Sequence, residues 1–151
     1  MAHILIVGAN QGIGYYIVKR LLATGHSVSV LDVNTNHLAS LQKEYPERLF
    51  SMIADAQNLA SIQDGVSQSI KIFGNIDAAI HNACFCTFEN EQNSDYTMYQ
   101  KAMNVNFFGA LRLAKTVLPY MRKAQKGRII FTSSGVGITG FANISPYAST
   151  K

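Results

Sequence analysis

The segment Gly8-Ala9-Asn10-Gln11-Gly12-Ile13-Gly14 follows directly on four apolar residues, Ile4-Leu5-Ile6-Val7. It opens a run in which Ile13, Ile17, Val18, Leu21 and Leu22 recur at helical spacing. The chain must therefore leave a strand and enter a helix within a few residues. Gly8 lets it turn sharply, Gly12 lets the backbone approach a pyrophosphate with no Cβ in the way, and Gly14 permits close packing of helix on strand. The unpaired N–H groups of the helix start then face an anion. The spacing is G-x-x-x-G-x-G rather than G-x-G-x-x-G, so on these residues alone a phosphate-binding turn and a plain tight turn both stand.

The rest of the chain repeats the alternation. Strands are expected at His3–Val7, Ser27–Leu31, Leu49–Ile53, Ile76–His81 and Arg128–Thr132. Gly25 should end the first helix, and a short helix over His37–Tyr45 should stop before Pro46. A third helix should bury Leu59, Ile62, Val66, Ile70 and Phe73 and close at Gly74. Residues 84–95 read as a loop. A long helix should span Tyr96–Ala124, with Phe107, Leu111, Ala114, Val117 and Met121 on one face and a bend at Pro119. This pattern predicts an α/β fold: a doubly wound parallel sheet with helices on both faces, in the order 3-2-1-4-5. Such an order leaves a crevice between the first and fourth strands, which end at Gly8 and Asn82.

Composition narrows the classes. Hydrophobic residues make up 48% and charged residues 15%, against roughly 25% charged in ordinary domains. Disorder is excluded by that balance, and a disulfide scaffold by the presence of two cysteines. The 151 residues are expected to form one domain, 1–151. No apolar run approaches the ~18 residues of a membrane span, and no basic segment precedes the first apolar run, so a cytoplasmic protein without a membrane partner is expected. Cys84 and Cys86 read as reduced thiols, too few for zinc, and no metal site is expected. The net charge of +4 gathers at Arg112, Lys115, Arg122, Lys123, Lys126 and Arg128. These read as a solvated helix face rather than a nucleic-acid footprint. His3, His26, His37 and His81 read as structural or exposed, with His81 notable for adjoining Asn82.

Asp32 ends the second strand, where a carboxylate can accept hydrogen bonds from the ribose hydroxyls of an adenosine and repel a 2′-phosphate. No basic residue at Gln11 or Val33 offsets that repulsion, so NAD is expected over NADP. The same Asp could instead cap the next turn. Asp55, after the third strand, could position an adenine or cap the following helix. Tyr147 and Lys151 are spaced to share one face of a helical turn. A nearby ammonium makes a tyrosine hydroxyl a better proton donor, which suits acid–base work on a carbonyl or alcohol. Ser134, at the end of strand five, could hold the substrate oxygen; Ser133 is the alternative, and the spacing favours Ser134.

Together, Gly8-Ala-Asn-Gln-Gly-Ile-Gly14, Asp32, Asp55, Asn82-Ala83, Asn104-Val-Asn106, Ser133-Ser134 and Tyr147-x-x-x-Lys151 resemble the short-chain dehydrogenase/reductase family in order and spacing, over essentially the whole chain. The resemblance implies a Rossmann-type fold and an NAD(P)-dependent oxidoreductase that moves a hydride between nicotinamide and a small alcohol or carbonyl substrate. Tyr147 would be the general acid/base, Lys151 would assist it and bind the nicotinamide ribose, and Ser134 would orient the substrate oxygen. Asn106 would hold a water of the proton relay. Gly8, Asn10, Gln11, Gly12, Ile13, Gly14, Asp32, Asp55, Ala56, Asn82 and Ala83 would line the cofactor. A homo-oligomer using the long helix is also implied. The family continues beyond the position of Lys151, so this chain is expected to be the N-terminal part of a longer enzyme. The alternative expectation is a catalytically impaired dinucleotide-binding fragment.

Overall fold

The computed structural model describes residues 1–89 and 92–151. The apolar runs become five strands, β1 (His3–Val7), β2 (Ser27–Asp32), β3 (Leu49–Ile53), β4 (Ala78–His81) and β5 (Arg128–Phe131). All pair in parallel, in the order β3-β2-β1-β4-β5 that the sequence predicts. Val7 at the end of β1 lies beside Leu31 on one side and His81 on the other. All five residues of β1 are buried, as a central parallel strand covered on both faces requires.

Helices cover the two faces. On one, α1 (Gly12–Ala23) and α2 (Ala39–Glu44) pack Val18, Leu22 and Leu41 against Ile4, Ile6, Val28 and Val30. On the other, α3 (Leu59–Phe73) and α5 (Gly109–Ala124) pack Ile62, Val66, Leu113 and Val117 against Leu5, Val7, Leu31 and Ala79. Each such side chain, fully buried, is worth ~1.5–3 kcal/mol. Gly25 accepts the left-handed backbone at the end of α1, with φ of 87°. β5 is the sheet edge, and its Ile130 and Phe131 are exposed.

The long helix differs from its expectation. It is divided into α4 (Tyr96–Ala102), a π-helical segment at Met103–Phe108, and α5. The buried stripe runs through Ala102, Asn106, Gly109, Leu113, Val117 and Met121 at regular helical spacing across all three segments, while Phe107 is 50% and Leu111 45% exposed and lie off it. Pro119 does not break α5. It and Lys115, whose carbonyl it leaves without its usual i→i−4 donor, both lie on the exposed side of the helix, where a carbonyl can turn to solvent. Leu59, expected in the core, begins α3 and is exposed. The loop expected at 84–95 is irregular over 84–89; positions 90 and 91 of that expectation lie outside the described residues. Two short helices, α6 (Val136–Thr139) and α7 (Ser145–Ala148), follow β5.

Candidate active site

The C-terminal ends of the strands open onto one cleft of about 850 Å3. The glycine turn forms its floor. Gly8 and Gly12 take φ of 84° and 59°, a region that favours glycine. A Cβ on Gly8 would collide with the backbone of Ala83, so the ends of β1 and β4 touch because residue 8 has no side chain. A Cβ on Gly12 would stand in open space, leaving the backbone bare toward the cleft. Gly14 has no room for a Cβ against the Gly8 carbonyl and the Asn82 Nδ2 at 2.8 Å, which is the close helix–strand packing expected of it. Gln11 caps α1 in an extended conformation without a side-chain cap bond, so no side chain competes for the first N–H groups of the helix. Asn10, Gln11, Gly12 and Ile13 all line the cleft.

Asp32 does two of the things its position allows. Its Oδ1 accepts from the Asn34 N–H at 3.2 Å, capping the following turn, and its Oδ2 accepts from the Asn10 N–H at 2.9 Å. The carboxylate also lines the cleft with lone pairs to spare. Asn10 is buried, and its Oδ1 accepts from the His37 N–H at 3.0 Å. Asp55 does not cap α3. Asn58 does, accepting from the Ser61 N–H at 3.2 Å, while Asp55 Oδ1 accepts from the Gln57 N–H at 2.8 Å and the residue faces the cleft with Ala56.

Asn82 straps the sheet together where β4 ends. Its Nδ2 donates to the Gly8 carbonyl at 2.6 Å and its Oδ1 accepts from Thr132 Oγ1 at 3.1 Å. The N–H groups of Asn82 and Ala83 both donate to the Val7 carbonyl at 2.8 Å. Three strand ends are thus fixed at the cleft mouth by one amide side chain.

Tyr147 lies in α7, whose first turn carries Pro146. Lys151 Nζ stands 5.3 Å from the Tyr147 ring centroid and donates to the Thr132 carbonyl at 2.8 Å. Burial lowers the Lys151 pKa below its ordinary value, and the Cys84 and Cys86 thiols act in the opposite direction. Ser134 and Ser133 both line the cleft. Ser134 is half-buried and accepts from the Val136 N–H at 3.4 Å; Ser133 is exposed and donates to the Lys151 carbonyl at 3.3 Å.

Asn106 is 5% exposed, sits in the π-helical segment and does not line the cleft. Its Oδ1 accepts from the Phe85 N–H at 2.7 Å, and its Nδ2 donates to the Phe85 carbonyl at 3.0 Å and to Thr150 Oγ1 at 2.8 Å. Thr150 in turn donates to the Tyr147 carbonyl at 2.7 Å. The Asn106 amide therefore ties the loop after β4 to the turn that carries Tyr147 and Lys151. Thr132, Thr150 and Phe85 hold the site through ordinary hydroxyl and backbone groups, which carry no sequence signal.

His81 is 2% exposed and points to the α5 side of the sheet. Its Nε2 has no hydrogen-bond partner among the described residues. Burial lowers its pKa to about 4, the Lys151 ammonium adds to the effect, and the Val105 carbonyl weakly opposes it.

The family model described as short chain dehydrogenase matches residues 2–151. The chain is 33% identical over 148 residues to 3-ketodihydrosphingosine reductase of Bacteroides thetaiotaomicron, covering 98% of this chain and 52% of that protein. It is 34% identical to estradiol 17-beta-dehydrogenase 2 of Rattus norvegicus, covering 98% of this chain and 40% of that one. The crystal structure of NAD+-bound xylitol dehydrogenase superposes with a TM-score of 0.91 at 26% identity, over 99% of this chain and 59% of that chain. The chain thus spans about half the length of the curated relatives it matches. With the parallel sheet, the glycine turn and the Tyr147–Lys151 pair on one cleft, these likenesses establish that the chain belongs to the short-chain dehydrogenase family.

Proposed function

We propose that residues 1–151 form one dinucleotide-binding domain that takes NAD in preference to NADP and serves hydride transfer between nicotinamide and a small alcohol or carbonyl substrate. The observation that carries this is the meeting of the bare glycine turn, Asp32, Tyr147 and Lys151 on a single cleft. The residues present fit the cofactor: the turn offers a helix start and a floor without Cβ at Gly12, and Asp32 offers free lone pairs at the β2 end. Bound there, the nicotinamide supplies or accepts the hydride.

The chain's own groups handle the rest. Asp32 accepts from the adenosine ribose hydroxyls and disfavours a 2′-phosphate. Asp55 and Ala56 border the adenine. Asn82 and Ala83 border the nicotinamide end. The Tyr147 hydroxyl gives its proton to a carbonyl oxygen, or takes one from an alcohol. Lys151, anchored on the Thr132 carbonyl, holds its ammonium beside that ring. The Ser134 hydroxyl orients the substrate oxygen, and Asn106 serves as a positioning residue for the Tyr147 turn. The exposed Phe107 and Phe108 of the π-helical segment and Leu111 of α5 favour a homo-oligomer.

NADH titration and an NADH-oxidation assay over a panel of small carbonyls, on wild type and Tyr147→Phe, test this reading. Turnover should fall about 10²–10⁴-fold in the variant while NADH affinity stays within about twofold. A wild-type chain that does not bind NADH would sink the proposal, as would a variant that turns over at the wild-type rate. Binding without turnover in wild type would favour the dinucleotide-binding fragment instead.

A further inference from the structure

Arg112 is one of the basic residues that the sequence places on a solvated helix face, yet its guanidinium turns inward. Nη1 donates to the Ala56 carbonyl at 3.2 Å and to the Asn104 carbonyl at 3.0 Å, and Nη2 donates to Asn104 Oδ1 at 2.7 Å. Its acceptors are neutral oxygens, and among the described residues Arg112 has no carboxylate within ion-pair distance. The group is thus used for its rigid fork of donors rather than for its charge. One of the acceptors, the Asn104 carbonyl, lies in the π-helical segment, where regular helical pairing is interrupted.

The network continues toward the cleft. Asn104 Nδ2 donates to Gln57 Oε1 at 3.3 Å, and the Gln57 N–H donates to Asp55 Oδ1 at 2.8 Å. Gly109 allows the helix to come close: a Cβ there would lie 3.1 Å from the Ala56 Cβ and 2.8 Å from His81 Nε2. Ala56 is therefore met by α5 at two points one turn apart, the bare backbone at Gly109 and the Arg112 guanidinium. Asp55, Ala56 and Gln57 line the cleft after β3, next to Asp32 at the end of β2. Tyr147 and Lys151 lie toward the β4–β5 end, where Lys151 bonds the Thr132 carbonyl. Arg112 itself does not line the cleft.

We propose that Arg112, through Asn104 and Gln57, is a positioning residue for the Asp55–Gln57 segment and so sets affinity for the adenosine half of the dinucleotide. The inference rests on the dinucleotide reading above. A shift of this segment would spoil the wall that an adenine must meet while leaving the glycine turn and the Tyr147–Lys151 pair in place.

The test is a calorimetric titration of ADP-ribose, which carries the adenosine and both phosphates but no nicotinamide. The proteins are wild type, Arg112→Met, Arg112→Lys and Val117→Ala, each confirmed as folded by circular dichroism. Val117 belongs to the same core cluster as Ala56, but its apolar side chain makes no hydrogen bond, so its variant loses core packing while the hydrogen bonds that hold the Asp55–Gln57 segment stay in place. Arg112→Met should raise the ADP-ribose Kd about tenfold, and Arg112→Lys, which keeps one donor direction, about threefold. Val117→Ala should stay within about twofold. If Arg112→Met does not fold, Asn104→Ala, which cuts the link between Arg112 and Gln57, should show the same loss. Unchanged affinity in the folded variant, or an equal loss in Val117→Ala, overturns the positioning role while leaving dinucleotide binding intact. A wild-type chain that does not bind ADP-ribose overturns the dinucleotide reading, and the positioning role with it.

Discussion

Acid should destabilise this fold through His81. The ring is 2% exposed, lies on the α5 side of β4, and leaves Nε2 without a partner. In the unfolded chain it titrates near the ordinary value of 6.5; folded, burial and the Lys151 ammonium bring it to about 4. The unfolded state therefore binds a proton more readily than the folded one. Stability is fully present above pH 6.5 and drains away as pH falls toward 4. The two values imply a loss of about 2 kcal/mol at pH 5 and about 3 kcal/mol at pH 4. That is a large share of the ~5–15 kcal/mol that typically holds a domain together. His3, buried against Ser29 Oγ and the Gly74 carbonyl, is lowered as well, chiefly by burial, and adds in the same direction.

Urea unfolding of wild type and His81→Leu at half-unit steps from pH 7 to pH 4.5 isolates the effect. The wild type should lose about 2 kcal/mol more than the variant between pH 7 and pH 5. Parallel stability curves for the two proteins over that range would show that His81 titrates alike folded and unfolded, and would refute the reasoning. A wild type that gained on the variant as pH fell would do the same.

Two further outcomes follow from the site. NADH should bind roughly tenfold more tightly than NADPH, about 1.4 kcal/mol of repulsion between Asp32 and a 2′-phosphate, and Asp32→Ala should shrink the gap; equal affinities in wild type would remove the assignment. Asn82→Ala deletes the strap between Gly8 and Thr132 and leaves the Gly8 carbonyl without that donor, so urea unfolding should show a loss of about 1–3 kcal/mol; a change below ~0.5 kcal/mol would mean the strap is redundant.

Much of this architecture is legible in the residues because local and global signals agree. Ile4–Val7, the glycine turn and the helical run after it each demand the same strand–turn–helix unit, and the later alternation of short apolar runs with helical patterns leaves few sheet orders. Three things escaped for stated reasons. The phase of the long helix was hidden because the large apolar Phe107 and Leu111 mark one face, whereas the buried stripe passes through the small or polar Ala102, Asn106 and Gly109. Asp55 and Asn58 are both good caps, and only the backbone decides that Asn58 serves α3. Arg112 reads in the sequence as part of a solvated helix face, and Asn106 is singled out there only by the family resemblance. Their roles come from acceptors distant in the chain, Ala56 for one and Thr150 for the other.

Hydride transfer can be read directly. NADH dideuterated at nicotinamide C4, incubated with the protein and the carbonyl panel, should yield an alcohol carrying deuterium on the former carbonyl carbon, and Tyr147→Phe should suppress that product while still binding NADH. Alcohol formed without deuterium, or deuterium delivered equally by Tyr147→Phe, would contradict the assignment of this cleft as a dehydrogenase site.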